Sequence, residues 1–380
     1  MRLFRSDNET GNRDLETKVI RDKNKVVVIS GNPDVSTEIS SILRMHNISN
    51  VISKNMAVND FREDDATFDA GWYILDIEGE NDIAAINDII VLAIPNDAMY
   101  ILIGETDSIS FSSELLKFGA KYLLKESQLG AVADIILNTK GMQVDRHSLN
   151  VSFLGCKGGC GTTTISSSVF SSVENFINTP TLFVQGASGS CDLDLIAEDN
   201  YEISILENKI QKINASKFVK IDNGPIRFDY NNNGYQQYNV NFFDHNINRA
   251  SPEELDVVFT NSSVMILVVG NNFSSFRTAK KIIDEYIKFE SRSKSRPKRT
   301  IICLNEYSVN VGRDKFSDED IEEFLGKKID LRFPNFNSDK NKKIFNRNIN
   351  NLSSLIFAKE INKGVAKKGL LSWIQFTTKS

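Results

Sequence analysis

The chain has 380 residues, 41% hydrophobic and 25% charged, enough for two cores of ordinary domain size. Its net charge of −5 and pI near 5.5 argue against a protein that coats nucleic acid through overall charge, so any such binding would be confined to a local patch. Cys156, Cys160, Cys191 and Cys303 give neither a disulfide framework nor paired zinc spacing. The N-terminal MRLFRSDNETGNRDLETK lacks an apolar signal core, and no run of about 18 apolar residues occurs, so a cytoplasmic protein is expected rather than a secreted or membrane-spanning one.

Residues 1–24 are polar, without hydrophobic period, and read as a mobile leader. From Lys25 a rhythm begins. KVVVIS, ISNVISK, WYILDI, MYILIGE and KYLLKE have strand character; STEISSILRMHN, AAINDIIVLAI, FSSELLKFGA and GAVADIILNTK have helical spacing. Five strands alternating with five helices are expected over residues 25–140, as a doubly wound parallel sheet. This stretch resembles the receiver domain of response regulators, most clearly in FGAKYLLKE. The resemblance puts Asp76 at the phospho-acceptor place, Thr106 or Gly104 near the hydroxyl place, and Lys125 at the lysine place. Where a receiver carries an acidic pair after its first strand, this chain has Ser30 and Gly31, so a hard divalent ion lacks its oxygen ligands. A docking or dimerisation surface is expected instead of a phosphorylation switch.

Residues 141–150 form a polar join, and a second α/β series follows over residues 151–380. VSFLG, TLFVQ, YNVNFFD, MILVVG and TIICLN read as strands, TTTISSSVFSSVENF and FRTAKKIIDEYIKF as helices, and Lys217 to Tyr238 as irregular loop or hairpin. Between the first of these strands and its helix stands CKGGCGTTT, glycines in the strand–loop–helix setting that makes a phosphate-binding loop credible. The general pattern has a lysine after its last glycine, and here that place is Thr162.

KGGCGTTT resembles the deviant phosphate loop of the ParA/MinD family of P-loop ATPases, whose signature lysine matches Lys157. The resemblance implies bound ATP and Mg²⁺ and a homodimer in which Lys157 reaches the partner's nucleotide. Gly158, Gly159 and Gly161 would let backbone N–H groups near the phosphates, with Cys160 and Thr162 between and after them; Thr163 would ligate Mg²⁺ and Thr164 support the phosphates. Asp244 matches the aspartate that holds Mg²⁺ through water, and Asn305 the residue that reads adenine. Gln185 and Ala187 replace both catalytic aspartates, leaving only Asp192 as a carboxylate further along, so hydrolysis is expected to be slow or absent and no catalytic residue is assigned.

A receiver-like domain ahead of a MinD-like one resembles the CpaE/TadZ family of tight-adherence (Flp) pilus secretion, which implies a factor that marks a pole and recruits the pilus machinery. KKGLLSWIQF resembles the MinD membrane tail; as a helix it would gather Leu370, Leu371, Trp373 and Ile374 on one side for peripheral membrane contact. SRSKSRPKRT, with Arg292, Lys294, Arg296, Lys298 and Arg299, is the single basic run that could serve a partition ATPase on DNA, and reads as a solvated loop. A scaffold that has stopped binding nucleotide is the remaining alternative.

Overall fold

The computed structural model describes residues 21–61, 67, 69–117, 119–139, 148–189, 208–293, 298–306, 316–335 and 338–357. The first sheet comprises β1 (Asp22–Ser30), β2 (Val51–Asn55), β3 (Ala70–Glu78), β4 (Met99–Gly104) and β5 (Lys121–Leu124). All pairings are parallel, in the order β2-β1-β3-β4-β5. That is the flavodoxin-like doubly wound order, and the continuous apolar runs of β1, β3 and β4 are what burial on both faces requires. Helices α1 (Pro33–Met45), α2 (Ile83–Ala93), α3 (Ile109–Lys117) and α4 (Ala131–Asn138) cover it. Asn32 starts α1 by accepting from the Asp34 N–H, with Pro33 at the first helical position.

Two expectations need correcting here. Four α-helices, not five, are found among the described residues of this unit, because only a 3₁₀ turn at Val58–Asp60 follows β2. The first strand begins at Asp22, inside the segment read as leader: the polar DKN extends it by pairing, with Asp22 opposite Ala70.

The second sheet comprises β6 (Leu149–Gly155), β7 (Thr181–Gln185), β8 (Gln211–Lys212), β9 (Lys217–Ile221), β10 (Val240–Asn246), β11 (Val264–Gly270), β12 (Arg299–Asn305) and β13 (Leu331–Phe333). Its order is β13-β12-β11-β6-β10-β7-β9-β8, parallel except for β8 against β9. Thus β6 starts within the segment read as linker, and the stretch read as irregular loop or hairpin begins with the buried strand β9, which pairs with β7 and, antiparallel, with the preceding β8. Its alternation was masked by Lys217 and Lys220, which are buried all the same.

Helices α5 (Thr162–Ser172) and α9 (Asp339–Phe357) cover one face; α6 (Pro252–Asn261), α7 (Phe273–Arg292) and α8 (Asp318–Leu325) cover the other. The two-residue period of the strands divides their side chains, Phe153 and Phe242 joining the first core, Leu154 and Phe243 the second. Fully burying each such side chain stabilises by about 1.5–3 kcal/mol. Ser166, Ser167 and Ser168 of α5 are all buried, and a Ser251–Glu254 capping box with Pro252 fixes where α6 begins.

The two sheets share an interface. Val91 and Leu92 of α2 belong to the first core of the second sheet. Asn239, fully buried at the start of β10, donates its amide to the carbonyls of Val91 (2.7 Å) and Ile94 (2.6 Å) and accepts from the Asn96 N–H (3.1 Å). Asn96 in turn donates to the carbonyls of Gln236 and Tyr238. These bonds satisfy the C-terminal carbonyls of α2, which would otherwise be orphaned in an apolar interface.

Candidate functional site

The glycine loop emerges at the C-terminal edge of the second sheet, where open parallel sheets hold their ligands. Gly159 and Gly161 have φ of 72° and 84°, a left-handed region that costs a side-chain-bearing residue about 1–2 kcal/mol. Gly161 is the N-cap of α5 and offers no side-chain acceptor, so Thr162, Thr163 and Thr164 form a first turn whose N–H groups have no cap bond from it. Lys157, Gly158, Gly159, Gly161, Thr162, Thr163 and Thr164 border one cleft of about 430 Å³ together with Ser188, Gly189, Asp244 and Asn246. Lys157 is the single cation among these described lining residues, and Asp244 the single acid.

Thr162 borders the cleft, but its hydroxyl turns back beneath the loop. A Cβ on Gly155 would lie 2.4 Å from Thr162 Oγ1, and Cys160 Sγ lies 3.2 Å from the same oxygen. Buried Cys160 therefore lies under the loop, its thiol also 3.4 Å from the Val268 carbonyl. Asn305 ends β12, buried, and donates Nδ2 to the Cys160 carbonyl at 2.8 Å. A Cβ on Gly161 would lie 2.2 Å from that nitrogen. The side chain that the resemblance assigns to adenine is thus placed as a prop against the loop.

Asp244 lies on β10, the strand between β6 and β7, opposite Phe153 on one side and Gln185 on the other. It is buried, and its carbonyl accepts from the Gly186 N–H at 2.9 Å. A Thr163 hydroxyl and an Asp244 carboxylate on one cleft are oxygen donors suited to Mg²⁺, which is usually held by one or two protein oxygens plus phosphates and water. The glycine cradle and Lys157 suit a polyphosphate. Gln185 is fully buried and Ala187 half-buried, so the loop after β7 brings no carboxylate through these positions; Asp192 lies outside the described residues.

His245 points to the opposite face from Asp244, boxed by Phe228, Tyr230 and Phe243. Burial, with a smaller contribution from nearby Arg227, pushes it down to about 3, so it is neutral. A Cβ on Gly186 would lie 2.2 Å from its Nδ1, so the backbone leaving β7 packs directly on this ring.

Sequence reasoning missed Ser188, Gly189 and Asn246. Asn246 had a signal: two residues beyond Asp244 on one strand, it falls on the same face. Ser188 and Gly189 carried none without knowledge of the chain's path.

At the corresponding edge of the first sheet, Asp76 is 3% exposed. Its Oδ2 accepts from the Ser30 hydroxyl at 2.6 Å and pairs with Lys125 at 3.1 Å; its Oδ1 accepts from the Glu78 N–H at 3.1 Å. Both oxygens are engaged. Thr106 bonds Asn81 through its hydroxyl and Tyr122 through its backbone, while Tyr122 also packs on Gly104.

In the basic run, Arg299 donates to the carbonyls of Leu355 and Ile356 at the end of α9, and Arg292 pairs with Asp256. Lys294 and Arg296 lie outside the described residues, as do Leu370, Leu371, Trp373 and Ile374. No helix of the described residues is long and apolar enough to cross a membrane.

No family model and no curated protein matches the chain. Among solved structures it is similar to a ParA family ATPase from Chlorobium tepidum (16% identity, 56% of this chain and 97% of that one, TM-score 0.34). It is also similar to the MinD cell division protein of Aquifex aeolicus (16%, 57% and 99%, TM-score 0.38). A third is a plasmid partition protein from Borrelia burgdorferi bound to AMPPNP (12%, 56% and 99%, TM-score 0.36).

Proposed function

We propose that the chain is an ATP-binding localisation factor of the CpaE/TadZ kind. It would dimerise around Mg-ATP, mark a pole or focus, and recruit the Flp/Tad pilus machinery with little or no hydrolysis. The observation that carries the reading is one cleft bordered by Lys157, the left-handed glycine loop, Thr163 and Asp244. Those residues are what binding needs. A lysine at position 162 and carboxylates at 185 and 187, which turnover would use, are missing from the sequence. Binding therefore outlasts catalysis in this chain.

Residues 25–140 serve in this reading as an atypical receiver, 141–150 as linker and 151–380 as the ATP-binding domain. Engagement of both Asp76 oxygens supports a receiver that works by docking rather than by phosphorylation. The C-terminal tail, through Leu370, Leu371, Trp373 and Ile374, would add weak membrane contact, doubled by avidity in the dimer. A DNA partner is disfavoured by the structural use of Arg299 and Arg292.

The test is imaging of a fluorescent fusion in the native host, with purification of bound proteins. A focus that recruits the pilus secretion ATPase, and that disperses with Lys157→Ala, is expected. A diffuse wild-type protein that retains no pilus component would reject the assignment.

A further inference from the structure

The cleft holds a polar side chain whose orientation is fixed by its surroundings. Asn246 Oδ1 accepts from the Asn248 N–H at 3.0 Å, which settles which end of the amide is oxygen. The other end, Nδ2, is then a donor, and it faces the glycine loop: a Cβ on Gly158 would lie 3.9 Å from it. The backbone is held equally firmly. Its N–H donates to Ser188 Oγ at 3.1 Å, its carbonyl accepts from Arg227 at 3.0 Å, and the next N–H, of Ile247, donates to the Gly155 carbonyl at 3.1 Å. Nδ2 is thus a preorganised neutral donor close to Gly158, in the cleft that Lys157, Thr163 and Thr164 also border.

We propose that Asn246 is a phosphate-binding residue, supplying from β10 a donor that the loop lacks because Thr162 turns its hydroxyl beneath it. The inference rests on the nucleotide-binding reading above.

The experiment is calorimetric titration of the full chain with Mg-ATP and with ADP, in the wild type, Asn246→Ala and Asn246→Asp, with thermal unfolding measured in parallel without nucleotide. Asn246→Asp keeps the acceptor for the Asn248 N–H and swaps the donor for a negative charge, so it isolates the contact from the fold. Asn246→Ala is expected to weaken Mg-ATP roughly tenfold and Asn246→Asp about a hundredfold, the latter with unchanged unfolding temperature because it keeps the bond from the Asn248 N–H. Equal affinity in wild type and both variants would overturn the proposal while leaving nucleotide binding intact. Variants that lose affinity only in proportion to a lowered unfolding temperature would also overturn it, by assigning Asn246 to the fold. A wild type that binds neither nucleotide would instead remove the underlying reading, and the proposal with it.

Discussion

Asn305 donates its side-chain amide to the carbonyl of Cys160 at 2.8 Å, tying the end of β12 to the glycine loop two strands away. The bond braces the loop from β12 and leaves no room beside Gly161. Gly161→Ala therefore meets both a left-handed backbone and a 2.2 Å contact, and is expected to abolish Mg-ATP binding in a titration. Asn305→Ala removes the prop alone and is expected to weaken binding about tenfold, with the chain still folded by circular dichroism.

Thr162→Lys restores the missing cation beside the cleft. A charge-assisted hydrogen bond contributes about 1.5–3 kcal/mol, so affinity for Mg-ATP is expected to rise roughly ten- to hundredfold. Phosphate release should remain negligible, because Gln185 and Ala187 are unchanged. Calorimetric titration of the variant with Mg-ATP reads the affinity, and a coupled phosphate assay reads the turnover.

The interface between the sheets turns on Asn239. Asn239→Ala leaves the carbonyls of Val91 and Ile94 buried without their donor and the Asn96 N–H without its acceptor. The expected loss is about 2–5 kcal/mol, measured as a lower urea midpoint. Asn239→Asp sets a carboxylate against the same two carbonyls and should cost more.

His245 makes stability depend on pH. Unfolded, it takes a proton below about 6.5; folded, only below about 3. Between these values the unfolded chain binds the extra proton, so this contribution is complete above about 6.5 and is lost as pH falls, at about 1.4 kcal/mol per pH unit. Urea unfolding from pH 7 to pH 5 is expected to show about 2 kcal/mol lost in the wild type beyond that in His245→Phe. Parallel curves for the two proteins would contradict this account of the ring.

Much of this was legible in the sequence because burial on both faces writes parallel strands as continuous apolar runs: WYILDI, MILVVG and TIICLN all lie in strands. The glycine loop was legible for the same reason, since left-handed turns select Gly159 and Gly161. β9 was not, because Lys217 and Lys220 disguise it until partners are known: Lys217 pairs with Glu174, Lys220 with Tyr235 and Asp222. Nor did the sequence hint that Asn305 would prop the loop, that Asn246, though set on the face of Asp244 by the strand period, would reach Gly158, or that α2 would dock on β10. Each depends on neighbours roughly 90 to 150 residues distant in the chain, and no local period encodes such a contact.

The measurement closest to the central claim is the molar mass of the full chain by light scattering, with and without Mg-ATP, alongside phosphate release, for the wild type and Lys157→Ala. The account predicts a wild-type dimer that forms with Mg-ATP, fails to form in Lys157→Ala, and releases negligible phosphate. A mass indifferent to both nucleotide and Lys157, with no nucleotide retained, would contradict it and leave the loop as a structural turn.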